Sequence, residues 1–372
     1  LHDGIPMPTR EARWDGPRVV ETRRPAGTGP GSIASSLLTL LAHPNIASKH
    51  WIINQYDHEV QGNTVTKPLA GPGRGPSDAA VVEPVPGAGR GLAVACGLAT
   101  GLEADPYEMA IAAVDECVRN LVCAGADPDR IAILDNFCWP SCNKPENLGS
   151  LVRAAEGCYD AAKAYRTPFV SGKDSLNNQF TTEDGRTIEI PPTLLITGIG
   201  IVADLGRAVT MDAKKPGRVL LLVGPDCEAL AGSHHDRLFG SGDGRPPTVD
   251  LREGPRVARV VADAIRHGVV RSAHDVSDGG VLVALAEMLI AGSRPDAPIG
   301  FEGAAALNEA LAFCEGPSRY LLEVDDESAF HRFSTVGCVA LGRLTDTGRL
   351  RWAGVDEPVE KLAGAWRGTL DW

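Results

Sequence analysis

Apolar positions along the chain alternate between the two-residue period of strands and the 3.6-residue period of helices. From the N-terminal side, 32–43 (S-I-A-S-S-L-L-T-L-L-A-H) reads as a short helix capped by Ser32 and stopped by Pro44. Residues 62–90 carry many Gly and Pro and predict loops around a strand near 79–82. Strands are then expected over 92–96, 130–136, 168–171 and 193–202, with helices over 106–125 and 146–165 between them. A second unit starts near K-P-G at 215–217, with the buried strand 219–223. Helices over 253–267, 279–291 and 327–334 follow, with strands over 320–324 and 337–344, the last read as final. Strand and helix in alternation mean mixed α/β layers. The break divides the chain into 32–212 and 213–372, behind a Gly-, Pro- and Arg-rich arm over 1–31.

Composition narrows the functional classes. With 36 Lys and Arg against 48 Asp and Glu, the net charge of −12 argues against nucleic acid or an anionic membrane as partner. Local Lys residues and backbone N–H groups can still hold a small anion. The longest apolar runs, such as 218–224, are far too short for a membrane span, and no signal peptide is visible. Nine cysteines at irregular spacing read as reduced thiols of a cytoplasmic protein. Cys138 and Cys142 form a close pair but lack the second Cys/His pair of a zinc site. Leu1 opens directly on a Pro-rich stretch, so part of a longer polypeptide is expected.

Several segments hold residue types suited to phosphate and cation chemistry. In G-P-S-D-A-A-V-V (75–82), Asp78 stands at the mouth of a Gly-Pro loop, where its carboxylate can meet Mg²⁺ or merely organise a turn. On the predicted helix 106–125, Glu116 and Asn120 are four apart and share a face. They can share a metal or form a solvated stripe; Cys117 and Val118 suit the core, and Asp115 and Arg119 are expected to reach solvent. In T-P-F-V-S-G-K-D-S-L-N-N (167–178) a short strand runs into small residues and a cation, without Walker A spacing. There Gly172 would admit a phosphate, Lys173 offset its charge, and Ser171 and Ser175 donate hydrogen bonds, unless the segment is a polar turn pairing Lys173 with Asp174. In S-A-H-D-V-S-D-G-G (272–280), Asp275 can reach a metal, Ser277 or Asp278 caps the next helix, and the paired glycines offer N–H groups to an anion. Lys49 sits before an apolar strand at 51–53, exposed or in contact with a nucleotide; nearby His50 and His58 have no visible nucleophile to activate.

Taken together, P-N-I-A-S-K, Q-Y-D-H-E-V-Q-G, D-A-A-V, D-E-C-V-R-N, L-D-N-F, P-F-V-S-G-K-D-S-L-N-N and H-D-V-S-D-G-G-V-L-V-A-L-A-E-M occur in an order that resembles the phosphoribosylformylglycinamidine synthase (PurL) family, over 1 to about 345. The resemblance implies an α/β chain with a PurM-like N-terminal domain followed by a PurM-like C-terminal domain, forming the second half of a two-half synthetase. That family uses ATP and glutamine-derived ammonia to convert formylglycinamide ribonucleotide to its amidine in purine biosynthesis. Its second half is expected to hold a structural Mg²⁺-nucleotide (ATP or ADP), here on Lys49, Asp78, Glu116, Asn120 and Asp275, the last four as metal ligands. Ser171, Gly172, Lys173 and Ser175 match a segment that contacts the phosphoribosyl group. The family's catalytic His and K-A-E-T-H-N-H motif have no match, so no catalytic residue is assigned, and the N-terminal half and a glutaminase subunit or domain are the implied partners. A non-catalytic nucleotide-binding scaffold and a self-sufficient PurM-like kinase or synthase remain as alternatives. The stretch from Asp346, with Trp352, Trp366 and Trp372, carries no recognised motif.

Overall fold

The computed structural model describes residues 9–17, 31–240, 242, 244–352 and 354–371; the rest of the predicted arm and Trp372 lie outside the described residues. Along the first part run helices α1 (Ile33–Leu41) and α2 (His50–Asn54), then strands β1 (Thr64–Thr66), β2 (Leu69–Ala70), β3 (Gly75–Pro76), β4 (Ala80–Val82) and β5 (Gly91–Gly97). Helix α3 (Pro106–Cys123), β6 (Ile131–Cys138), α4 (Pro145–Tyr165), β7 (Phe169–Ser175), β8 (Gln179–Thr181), β9 (Thr187–Glu189) and β10 (Thr193–Val202) complete it. Six of these strands make a mostly antiparallel sheet in the order β1-β4-β5-β10-β6-β7, and β2/β3 and β8/β9 are small hairpins.

The second part contains β11 (Val219–Val223), α5 (His234–Phe239), α6 (Glu253–Arg266), β12 (Val270–Asp275), α7 (Gly280–Gly292), β13 (Gly300–Gly303) and α8 (Glu309–Phe313). It ends with β14 (Tyr320–Val324), β15 (Cys338–Thr345), β16 (Arg349–Trp352), β17 (Val355–Pro358) and α9 (Val359–Gly368). Its seven-stranded sheet has the order β12-β14-β11-β15-β13-β16-β17. The expected final strand is therefore not final: β16, β17 and α9 follow it, and Trp366 of α9 is buried against the loop after α1. The expected helix over 327–334 is a 3-10 turn, Glu327–Phe333.

The layers follow from which faces are apolar. One core cluster fills the space between the two sheets, drawing on β5, α3, α4, α6 and one face of β11, β12 and β14. A second lies behind the seven-stranded sheet, where α1, α7 and α9 pack together although α1 precedes the first sheet in sequence. Gly97 lets α3 approach β5, since a Cβ there would fall 2.1 Å from the Ala113 carbonyl oxygen. Among the described residues the outer face of the six-stranded sheet remains open: β5 alternates buried with less buried residues, and Val94 and Ile199 are 40% and 45% exposed.

Because α3 is sandwiched, it is buried nearly all round, and Asp115 and Arg119, expected in solvent, are 1% and 4% exposed. Arg119 pairs with Asp115 on its own helix and, at 3.2 Å, with Asp275 of β12. Asp115 also accepts hydrogen bonds from Tyr165 and from the backbone N–H (2.9 Å) and hydroxyl (2.6 Å) of Ser318. The expectation of thiols throughout is corrected at one place: Cys227 and Cys314 are disulfide-bonded, while the seven others are free.

Removing one partner of a buried ion pair strands the other, so Asp115→Ala should destabilise the protein by about 3–5 kcal/mol. Glu327→Ala, which removes an exposed pair with Arg343, should stay within about 0.5 kcal/mol. Urea unfolding midpoints compare them, and equal small losses would contradict the role given to Asp115.

Candidate functional site

A cavity of about 610 Å³ forms where the C-terminal end of β12 meets the loop entering β4 and one flank of α3. Five residues singled out from the sequence, Lys49, Asp78, Glu116, Asn120 and Asp275, line it together. They come from the α1–α2 loop, the β3–β4 link, α3 and β12, so only the tertiary fold brings them into one space.

Each is held by a specific local bond. Asp78 Oδ1 accepts from the backbone N–H of Asp275 at 3.0 Å and lies 2.8 Å from Nδ1 of His274. The other ring nitrogen, Nε2, lies 3.2 Å from Oε2 of Glu287 on α7. The backbone N–H of Leu98 donates to Glu116 Oε2 at 2.7 Å, and Asn120 Nδ2 donates to the Cys96 carbonyl at 2.9 Å. Arg119 engages Asp275 Oδ2. Lys49 Nζ donates to the carbonyls of Asn45 (3.1 Å) and Ala47.

Among the charged groups of a largely apolar lining, carboxylates outnumber cations. Asp78, Glu116, Asp275, Asp278 and Glu287 face the cavity, and Lys49, His274 and the adjacent Arg119 oppose them. Burial disfavours carboxylate charge and neighbouring carboxylates add to the effect. Burial, reinforced by Asp275, pushes Glu116 up to about 8 despite Arg119. Burial likewise raises Asp275 to about 6, with Arg119 opposing and Asp78 adding. Asp278 rises to about 7 through burial and the nearby Glu315. For His274 burial favours the neutral ring, but Asp78 and Glu287 outweigh it and hold the imidazole well above its ordinary range. Burial lowers Lys49, partly offset by Glu287 and Asp278.

The side chains spend one polar atom each on the protein and keep another. Asp78 Oδ2, Glu116 Oε1, the Asn120 carbonyl and Asp275 Oδ1 take none of the hydrogen bonds described above. Such hard oxygens, on partly buried and electrostatically crowded groups, suit a divalent cation. Asp78, His274 and Asp275 also stand close enough to one another to share an ion, as do His234, Asp278 and Glu315 nearby.

Other expectations fare differently. Ser171, Gly172, Lys173 and Ser175 do not join the cavity; they run along β7 at the sheet edge, which extends through the segment expected beyond the strand. Lys173 bonds Ser175 instead of pairing with Asp174, and a Cβ at Gly172 would meet the Asp135 carboxylate at 2.5 Å. The expected strand at 51–53 is instead α2, which Lys49 precedes. Neither Ser277 nor Asp278 caps α7: Gly279, at φ 82°, takes the cap position, and its N–H donates to Glu315 at 2.6 Å rather than standing open to an anion. Sequence reasoning did not assign Asp278, Glu287 and Trp366 to the cavity. The first two lay within the quoted H-D-V-S-D-G-G-V-L-V-A-L-A-E segment, whereas Trp366 gave no signal.

Comparison with known proteins adds independent findings. Residues 76–202 match the family described as AIR synthase related protein, N-terminal domain, and residues 215–353 the corresponding C-terminal domain. The phosphoribosylformylglycinamidine synthase subunit PurL of Prochlorococcus marinus (strain MIT 9303) is 38% identical over 312 residues, 79% of this chain and 38% of that protein. PurL of Thermosynechococcus vestitus is 36% identical over 339 residues, 87% of this chain and 43% of that protein. The chain thus spans well under two thirds of the curated relatives it matches. Thermotoga maritima PurL, solved in complex with FGAR, superposes with a TM-score of 0.65 at 16% identity, over 90% of this chain and 54% of that one. At that identity the likeness speaks for the fold.

A carboxyl raised by folding keeps a proton that the unfolded chain has already released, so stability falls as pH rises between the unfolded and folded values. For Glu116 that window runs from about 4.5 to about 8, and Asp275, Asp278 and His274 act in the same direction. In chelator, the melting temperature should fall by roughly 5 °C or more from pH 5.5 to pH 8.5, and Glu116→Gln should flatten the slope. A rising or level profile would contradict the crowding described.

Proposed function

The chain belongs to the AIR synthase related family and groups within it with the phosphoribosylformylglycinamidine synthases; on that footing we propose that it is the second half of such a synthase. Its contribution is a site for a Mg²⁺-nucleotide, ATP or ADP, together with part of the substrate pocket. The carrying observation is the single cavity that gathers Lys49, Asp78, Glu116, Asn120 and Asp275 from distant parts of the chain.

The donor set suits the proposed group. Magnesium prefers hard oxygen ligands, usually one or two carboxylates with several waters and phosphate oxygens completing the shell. Asp78 and Asp275 would supply carboxylate oxygens from one side, Glu116 and Asn120 from the α3 side, and Lys49 would face the phosphate charge. The bound cation would offset the surplus negative charge of the lining. Lys49, itself lowered by burial, gains from an anionic ligand nearby.

For the reaction as a whole the proposal assigns the chain a supporting place. The partner half would supply the catalytic His and its own metal motif, and a glutaminase subunit or domain the ammonia. The open, partly apolar outer face of the six-stranded sheet supports docking of such a half, since a sheet face of this kind buries favourably only against a second layer. Ser171, Lys173 and Ser175 lie on exposed β7 at the same sheet's edge. There they could meet the phosphoribosyl part of formylglycinamide ribonucleotide, the FGAR bound by the Thermotoga maritima protein.

Isothermal titration calorimetry with Mg-ADP tests the nucleotide site. Asp78→Ala and Glu116→Ala should each weaken binding at least about tenfold, and EDTA should remove it; unchanged binding in both variants would overturn the site. In the enzyme reassembled with an N-terminal half and supplied with ammonia, Lys173→Ala should lower amidine formation while ADP binding stays intact. An unaffected turnover would instead favour a purely scaffolding role.

A further inference from the structure

His274 contributes no donor atom to the proposed cation set, yet it is 5% exposed and sits between two carboxylates of the cavity, Asp78 and Glu287. Its position follows from the fold. It lies next to the end of β12, where a strand buried on both faces carries it against α7, and the loop entering β4 lays Asp78 across it. Glu287 stands well inside α7, a helix buried over almost its whole length, so it is a fixed anchor rather than a swinging side chain. The chain of contacts Glu287–His274–Asp78 ties a short loop to a rigid helix.

The consequence for Asp78 is specific. Its Oδ1 is engaged twice, by Nδ1 of His274 at 2.8 Å and by the backbone N–H of Asp275 at 3.0 Å. Two donors on one carboxylate oxygen fix the plane of the carboxylate and leave Oδ2 as the atom that can face a cation. A carboxylate so held binds through one oxygen. That distinction separates the two common hard cations: Ca²⁺ takes six to eight oxygens and often binds carboxylates through both, whereas Mg²⁺ holds near-octahedral geometry with single-oxygen contacts.

We propose that His274 is a specificity-determining positioning residue, which clamps Asp78 as a one-oxygen ligand and thereby makes the cavity select Mg²⁺ over Ca²⁺. This rests on the reading of the cavity as a cation and nucleotide site and adds to it the residue that sets which cation is accepted. Partners behind a metal ligand typically change affinity by about 10- to 100-fold when removed. Here the effect falls on the ratio of two affinities, because loss of the clamp leaves Oδ1 held by the Asp275 N–H alone, and the carboxylate can then turn to offer Oδ1 beside Oδ2 to the larger ion. Asn placed at 274 can put its amide nitrogen where Nδ1 stands, so His274→Asn keeps the bond to Asp78; His274→Ala does not.

Calorimetric titration of the full chain with Mg²⁺ and with Ca²⁺, each in the presence of ADP, reads the ratio directly. Wild type should favour Mg²⁺ by at least about tenfold, His274→Ala should reduce that preference by about tenfold, and His274→Asn should restore most of it. A general loss of packing would weaken both ions alike and leave the ratio unchanged, and that result in folded His274→Ala overturns the proposal. Should His274→Ala fail to fold, His274→Gln carries the same comparison, because its longer amide retains Glu287 and gives up Asp78. If Asp78→Ala abolishes binding while the ratio ignores residue 274, only the clamp is wrong. If wild type binds neither ion with ADP, the site reading falls and takes the clamp with it.

Discussion

Arg119 occupies the position on which the rest of the molecule depends. It is buried on the helix between the two sheets, paired on one side with Asp115 and on the other with Asp275, at the end of a strand in the second sheet. A buried guanidinium must keep carboxylate partners, because an uncompensated charge in the interior is costly. That requirement fixes how α3 sits against β12. Asp115 extends the constraint through Tyr165 to α4 and through Ser318 to the turn before β14. The two sheets are thus joined by a network of charged hydrogen bonds as well as by the shared apolar core.

The same constraint shapes the cavity. Holding Asp275 by one oxygen aims the other toward Asp78 and the flank of α3, where Glu116 and Asn120 lie one turn apart. Burial raises Glu116 and Asp275, neighbouring carboxylates add to it, and Arg119 offsets only part of the effect. A cation bound there, as proposed, would relieve this crowding. Stability in the ion-free state and affinity for an ion would then be opposed properties of one set of residues, a trade familiar from functional sites.

Much of this was legible in the sequence, and the remainder failed for physical reasons. The long buried strands and α3 are strongly periodic or continuously apolar, so their existence and type could be read directly. The segments around Asp78 and Asp275 pointed to oxygen ligands by residue type and placement beside Gly-rich turns, and Glu116 with Asn120 did so by their four-residue spacing on one helix face. The outward reading of Asp115 and Arg119 came from treating α3 as an ordinary amphipathic helix. A helix covered on both sides by sheets buries polar residues too, provided they pair with one another. Segment 51–53 favours a strand by its Trp-Ile-Ile composition, yet it lies in the five-residue helix α2, none of whose residues is buried. The bond between Cys227 and Cys314, 87 residues apart, leaves no trace in spacing. Helix α9 was overlooked because its buried face, with Leu362 and Trp366, makes sense only once α1 and α7 are seen beside it.

In the proposed site Asp78, Glu116, Asn120 and Asp275 surround one cation. Crystals grown with Mn²⁺ and ADP, measured above and below the manganese absorption edge, test it most directly through the anomalous difference map. A manganese peak is expected inside the cavity, bonded to oxygens of those four side chains and to phosphate. A peak held elsewhere, or a nucleotide bound away from this cavity, would contradict it.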